Sequence, residues 1–259
     1  LHGKQHSFPT RRSSDLLDSL WALDPNKMQI TRWKISPSTG SAERVEEIKL
    51  DKKLVRSLDF RTMESGFLIP DYMGEHRIWE VDNNGKPIKS SGEIPSETAN
   101  EKTVRPALAQ AWRSFIDYNP DNGILAMATQ LGEAIEIYNL KDDTHKVLYG
   151  PAGEPEFKTG KDGSGIPNGI MGLNDIKVTN KYIYAVFQGI KFKDKLAAYQ
   201  RGERLEDGGR FIYVFDLQGN PVQKYTLDHA IYGIDVNEET NTIVATEVKS
   251  DDPIIEFKI

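Results

Sequence analysis

The chain has 259 residues, 38% of them apolar and 28% charged, with a formal net charge of −6 and no cysteine. That length allows one large domain or two small ones with a full core. The missing cysteines exclude disulfides, thiolate metal sites and cysteine nucleophiles, the acidic balance argues against an electrostatic nucleic-acid binder, and no apolar run approaches the roughly 18 residues of a membrane-spanning helix.

In chain order, residues 6–16 come first and read HSFPTRRSSDL. This string matches, letter for letter, the translation of a widely used sequencing-library adapter. Residues 1–16 are therefore set aside as a non-native leader, and 17–259 are expected to form one domain that has lost its N-terminal part. Residues 19–23 then open a strand pattern, followed by Ile30 and Trp33 in a motif of isoleucine, two residues, a large apolar residue and a polar one. The motif returns at Ile78 with Val81, Ile135 with Tyr138, Ile212 with Phe215 and Ile254 with Phe257. Its β-branched and aromatic residues favour strands.

A second element precedes four of the five copies: Leu58-Asp59-Phe60, Ile116-Asp117-Tyr118, Ile176-Lys177-Val178 and Ile234-Asp235-Val236. Between the two elements lie the short apolar runs 66–69, 124–128, 182–187 and 242–245, which read as strands buried on both faces. Turn residues at 119–123 and 237–241 join first strand to second. Those at 83–85 and 218–220 lead into a fourth strand. Each unit is thus a four-stranded antiparallel meander, and stacking such units around an axis buries both faces of their middle strands. The expected fold is all-β, a β-propeller of four-stranded antiparallel blades. Two stretches depart from the repeat, 92–113 and the insertion 191–209, which has room for a short helix around 194–204.

On residues 114–120, 175–185 and 212–221 the chain resembles the TolB-like six-bladed β-propeller family of the Bacteroidota type, and the resemblance runs over essentially 17–259. It implies about five of six blades present, an open arc with exposed sheet edges, and an exported protein, periplasmic or outer-membrane-associated. Attachment to a membrane would come only through a lost N-terminal lipid anchor. It implies no reaction.

The residues that could carry chemistry are few. Outside the leader the histidines are His76, His145 and His229, widely separated and outside any zinc pattern. The stretch from Asp117 to Gly123 superficially resembles a calcium loop, but its glycine is one position late and Ala128 stands where the bidentate glutamate belongs, so a hairpin turn is expected. The glycine-rich 160–165 lacks phosphate-loop spacing and reads as a flexible connection. No G-x-S-x-G elbow occurs.

Propeller geometry places the entry to each first strand and the loop between second and third strands on one rim. The candidate ligand-binding residues are therefore Arg56, Tyr72, His76, Arg113, Asn174 and Tyr232, beside Asp71, Gln130, Glu133 and the 191–209 insertion. They suit a polar small molecule, a glycan or a protein partner; the competing reading is that they merely satisfy backbone groups at blade junctions. The expected function is an extracytoplasmic binding or sensing module without nucleic acid, metal or cofactor. The alternative is a metal-dependent lactonase or esterase, with oxygens from Asn174, Asp175, Asp117 and Asp235.

Overall fold

A computed structural model describes residues 19–203, 207–247 and 251–259. The adapter-like segment 6–16 lies outside the described residues. The chain divides into two compact units, 1–94 and 95–259.

Unit 1 holds two antiparallel sheets. The first has three strands, β1 (Ser19–Asp24), β2 (Gln29–Ile35) and β3 (Ala42–Lys49). A single 3-10 turn at Lys52–Leu54 leads to a four-stranded meander, β4 (Arg61–Met63), β5 (Gly66–Pro70), β6 (Ile78–Asp82) and β7 (Pro87–Ser91). Ile30 and Ile48 of the first sheet share one core with Phe60, Phe67, Ile69 and Val81 of the second. Trp21 meets Phe67 edge-on at 5.4 Å between ring centroids, a favoured aromatic geometry.

The ladder of the second sheet begins later than expected. Leu58-Asp59-Phe60 is not a strand, and pairing starts at Arg61 with Leu68. At this point the Asp59 carboxylate accepts the Phe60 N–H at 2.8 Å and a hydrogen bond from Arg61 at 2.6 Å, and Arg61 also donates to the Phe60 C=O at 2.8 Å. A side chain that captures the local backbone donor competes with the ladder.

Unit 2 begins with α1 (Arg105–Ala111), followed by the meander β8 (Ser114–Asn119), β9 (Ile124–Thr129), β10 (Ala134–Asn139) and β11 (Thr144–Tyr149). A two-stranded hairpin, β12 (Phe157–Thr159) with β13 (Gly165–Pro167), comes next. A six-stranded sheet completes the unit: β14 (Leu173–Val178), β15 (Tyr182–Phe187), β16 (Gly209–Asp216), β17 (Pro221–Asn237), β18 (Thr242–Glu247) and β19 (Ile254–Lys258). Between β15 and β16 lies α2 (Phe192–Gln200).

The six-stranded sheet contains two blades in series. Residues 221–226 of β17 pair with β16 as a fourth strand, whereas residues 231–237 pair with β18 as the first strand of the next meander. The five repeat units read from the sequence are therefore all present among the described residues, the last two sharing β17.

Burial of the apolar runs follows from stacking. Ile183, Ala185 and Phe187 pack with Ile124, Ala126 and Ile137 of the preceding blade. Their neighbours Tyr184 and Val186 point the other way, into a core with Ile234, Ile243 and Ala245. Side chains alternate across a strand, so a blade between two others must be apolar on both faces.

The polar residue closing the isoleucine motif holds the turn after the third strand. Asp82 accepts from the N–H groups of Asn84 and Lys86, Asn139 from that of Lys141, and Asp216 from those of Gln218 and Asn220. Hydrogen bonds to the ionised form hold the Asp82 and Asp216 carboxyls below their ordinary pKa.

Candidate functional site

Successive blades of unit 2 are joined by carboxylates on their first strands. Asp117 on β8 accepts the Val178 N–H of β14 at 2.8 Å, and Asp175 on β14 accepts the Ile234 N–H of β17 at 2.8 Å. Each aspartate reaches the residue one place further along in the next blade's register. Lys177 pairs with Asp235 at 2.8 Å, and the Asn119 amide donates to Asn180 at 2.9 Å. Of the oxygens that a lactonase-type metal site would draw on, those of Asp117, Asp175 and Asp235 are thus engaged in separate contacts between blades. Among the described residues, no three histidine, aspartate or glutamate side chains are grouped as a metal ion would require.

The start of β8, the β9–β10 turn, the start of β14 and the β15–β16 insertion meet at one end of unit 2. A backbone ladder binds them: Gln130 N–H donates to Arg113 C=O at 2.8 Å, Gly172 N–H to Gln130 C=O at 2.8 Å, and Gln188 N–H to Gly172 C=O at 2.9 Å. Gly172 permits this approach, because a Cβ there would lie 2.3 Å from the Gly132 oxygen.

α2 stands on this floor. Its first N–H, from Phe192, donates to Gly169 C=O at 2.9 Å, and Lys195 on its inner side forms an ion pair with Asp207. Gly208, at φ +104°, then lets the chain pass close to the Ile231 oxygen into β16. Asp207 also receives a hydrogen bond from Tyr232. Burial works to raise the Asp207 pKa, but Lys195 and Tyr232, with the Gln188 amide nearby, outweigh it and hold the carboxyl below its ordinary value. The Lys195 and Asp207 side chains remain 33% and 47% exposed, so this cluster borders solvent.

The six residues expected on the rim divide between the units. In unit 1, Arg56 is exposed and adopts a left-handed φ of +65°, Tyr72 is buried, and His76 is half-buried, edge-on to Trp79 at 4.8 Å. The buried Asp71 organises that loop by accepting the N–H groups of Met73, Glu75 and His76. In unit 2, Arg113 belongs to the backbone ladder, Asn174 sits half-buried at a register shift between Leu173 and Asp175, and Tyr232 joins Asp207. Lys195, Gln188 and Asp207 were not singled out in the sequence. The expected insertion and helix marked their neighbourhood, but nothing local signals a pairing across twelve residues. The helix itself begins at Phe192 and ends at Gln200; Arg204, the last residue of the expected span, lies outside the described residues.

The other motifs have structural roles. In the calcium-like stretch, Asn119 accepts the Asp121 N–H and Asn122 the Ile124 N–H, forming the expected hairpin turn. The glycine-rich segment, expected as a loose connection, is the turn of the β12–β13 hairpin and packs on α1, where Gly165 N–H donates to Gln110 at 2.9 Å. His145 stacks on Tyr138 at 4.0 Å, 3.6 Å from the fully buried Glu136, and His229 lies 3.6 Å from both Asp228 and Glu247.

Comparison with known proteins bears on the fold. A family model described as TolB-like 6-blade propeller-like matches residues 15–239. No curated protein matches the chain. Among solved structures, the crystal structure of Saccharomyces cerevisiae Sqt1 is similar at 9% identity and a TM-score of 0.46, over 93% of this chain and 68% of that one.

Proposed function

We propose that the chain, which belongs to the TolB-like 6-blade propeller-like family, is a non-catalytic binding or sensing module that acts outside the cytoplasm through the end of unit 2 carrying Arg113, Asn174 and Tyr232. One observation supports this above the others. Asp207, Lys195 and Tyr232 form a polar cluster at the solvent boundary, on a floor already held by backbone hydrogen bonds. Polar groups that converge on a rigid frame without being needed to close it suit ligand recognition. The ligand class is a small polar molecule, a glycan or a protein segment. The proposed location, the periplasm or the outer-membrane surface, rests on the family resemblance; no helix among the described residues is long and apolar enough to cross a membrane.

The test is a thermal-shift and calorimetric screen of the purified chain against metabolites, glycans and envelope proteins, repeated with Tyr232→Phe. A ligand whose affinity falls at least tenfold in the variant supports the reading. Failure to bind anything, or binding indifferent to Tyr232, overturns it.

A further inference from the structure

Asparagine followed by glycine occurs at three places in the chain, Asn84-Gly85, Asn122-Gly123 and Asn168-Gly169. Asparagine is among the thermolabile residues, and a following glycine has no Cβ to shield its nitrogen from the asparagine side chain. Attack by that nitrogen needs a glycine N–H that is free and a side-chain amide able to turn toward it. Two of the three pairs are locked. Gly85 is buried and donates to Asp82 C=O at 3.0 Å, so tightly seated that a Cβ would lie 2.1 Å from the Lys49 oxygen. Asn122 donates to Thr179 C=O at 2.9 Å and accepts the Ile124 N–H at 3.0 Å, while the buried Gly123 donates to Asn119 C=O at 2.8 Å. Asn168, just past β13, is exposed. Its N–H donates to Glu156 C=O at 3.1 Å, but among the described residues its side chain makes no hydrogen bond and the Gly169 N–H meets no acceptor.

The residues that follow Asn168 carry part of the fold. Gly169 C=O accepts the first N–H of α2 at 2.9 Å, Met171 N–H donates to Ile190 C=O at 2.8 Å, and Ile170 C=O accepts the Gly132 N–H at 3.0 Å. Both α2 and the β9–β10 turn thus rest on the strip 169–171. We propose that Asn168 is a one-way covalent timer, which deamidates through Gly169 and so loosens α2. The Gly169 nitrogen, its proton lost to solvent base, bonds to Asn168 Cγ. The Cγ–Nδ2 bond breaks, and the amide nitrogen leaves as ammonia with a proton from water. Water then opens the cyclic imide: at the side-chain carbonyl to give aspartate, at the main-chain carbonyl to give isoaspartate. Both products place a new negative charge beside Glu156, whose Cβ lies 3.0 Å from where a Gly169 Cβ would sit. Isoaspartate also adds a carbon to the backbone immediately ahead of the strip that holds α2.

The experiment ages the full chain at mildly alkaline pH, native and in concentrated urea, and follows each asparagine by peptide mass mapping with an isoaspartate-specific methyltransferase. Each hydrogen bond that must first open slows the attack by up to about tenfold. In the native protein the Asn168 peptide is therefore expected to convert at least tenfold faster than those holding Asn84 and Asn122, and in urea the three rates converge. Hydrogen exchange on the aged protein should show the α2 amides exchanging faster than in Asn168→Gln aged alike. Native conversion of Asn84 or Asn122 as fast as Asn168, or none at Asn168, overturns the proposal. So does α2 exchange that is the same in the converted protein and in N168Q. None of these outcomes depends on whether the chain binds a ligand.

Discussion

Tyr213 on β16 shows how a single polar contact in a blade interface sets a measurable property. Burial pushes its phenol up to about 12, and the nearby Glu133, hydrogen-bonded to it, adds to the rise. The folded state therefore keeps the proton after the unfolded chain, with an ordinary phenol near 10, has lost it. The stability this represents is present below pH 10 and is lost as pH climbs from there through about 12. In an alkaline titration followed by tyrosinate absorbance, Tyr213 and the more deeply perturbed Tyr184 will ionise above the ordinary phenol range near 10. Glu133→Gln will move the Tyr213 step earlier, and an unmoved step would mean that Glu133 contributes nothing. Gly172 gives a steric counterpart. Its missing side chain leaves room for the Gly132 and Thr129 carbonyl oxygens, 2.3 and 2.8 Å from where a Cβ would sit. Gly172→Ala should cost about 1–3 kcal/mol through overpacking, read as a lower urea midpoint.

At the scale of elements, the aspartate links turn a row of separate meanders into a stack. Strand pairing does not run from the β8–β11 meander into β14, and the hydrogen bond from Val178 to Asp117 carries backbone bonding across that boundary, while the one from Ile234 to Asp175 braces two meanders already joined through β17. Asp117 is buried, so Asp117→Ala leaves the Val178 N–H without an acceptor in an interior where water does not replace it, at about 1–3 kcal/mol. Glu47→Ala removes one partner of an ion pair whose two side chains, Arg44 and Glu47, are 53% and 37% exposed, and should cost less than about 1 kcal/mol. Urea unfolding of the two variants side by side tests the distinction; equal losses would show that the inter-blade hydrogen bond is energetically ordinary. The repeat was legible because each copy carries the same isoleucine motif. The links were less so, because the aspartates stand on opposite sides of the leading isoleucine, after Ile116 but before Ile176, and only the folded register shows them doing one job.

Taken as a whole, the described chain distributes its apolar residues according to which sheets have neighbours. β9 is buried at every position, whereas β18 leaves Val244 40% exposed, and Ile254 on the edge strand β19 is 67% exposed. On the outward face of this last sheet Val244 and Ile254 lie among Thr246, Glu256 and Lys258, and among the described residues no further strand pairs with β19, an edge that invites association. Replacing Ile254 by Lys should leave stability within about 0.5 kcal/mol while reducing concentration-dependent association in sedimentation velocity. Unchanged association would move the adhesive surface elsewhere on the molecule.

The local chemistry of the chain determined what depends on neighbours in sequence. Short continuous apolar runs, asparagine and glycine turns and the fivefold isoleucine motif suffice to place strands and hairpins and to require stacking, because strand faces and turn dihedrals are properties of a few consecutive residues. Leu58-Asp59-Phe60 marks the limit of that logic: its pattern says strand, but the Asp59 and Arg61 side chains take the backbone N–H and C=O of Phe60 and pairing starts only at Arg61. Tertiary structure alone decided what depends on residues far apart in the chain. Tyr232 could be assigned to a rim from repeat geometry. Its meeting with Asp207, the ion pair from Lys195 and the buried amide of Gln188 arise only when α2 docks and blades close on one another. Hydrogen bonds and charge pairs are short-ranged, so a polar cluster built from three segments has no signature in any one of them.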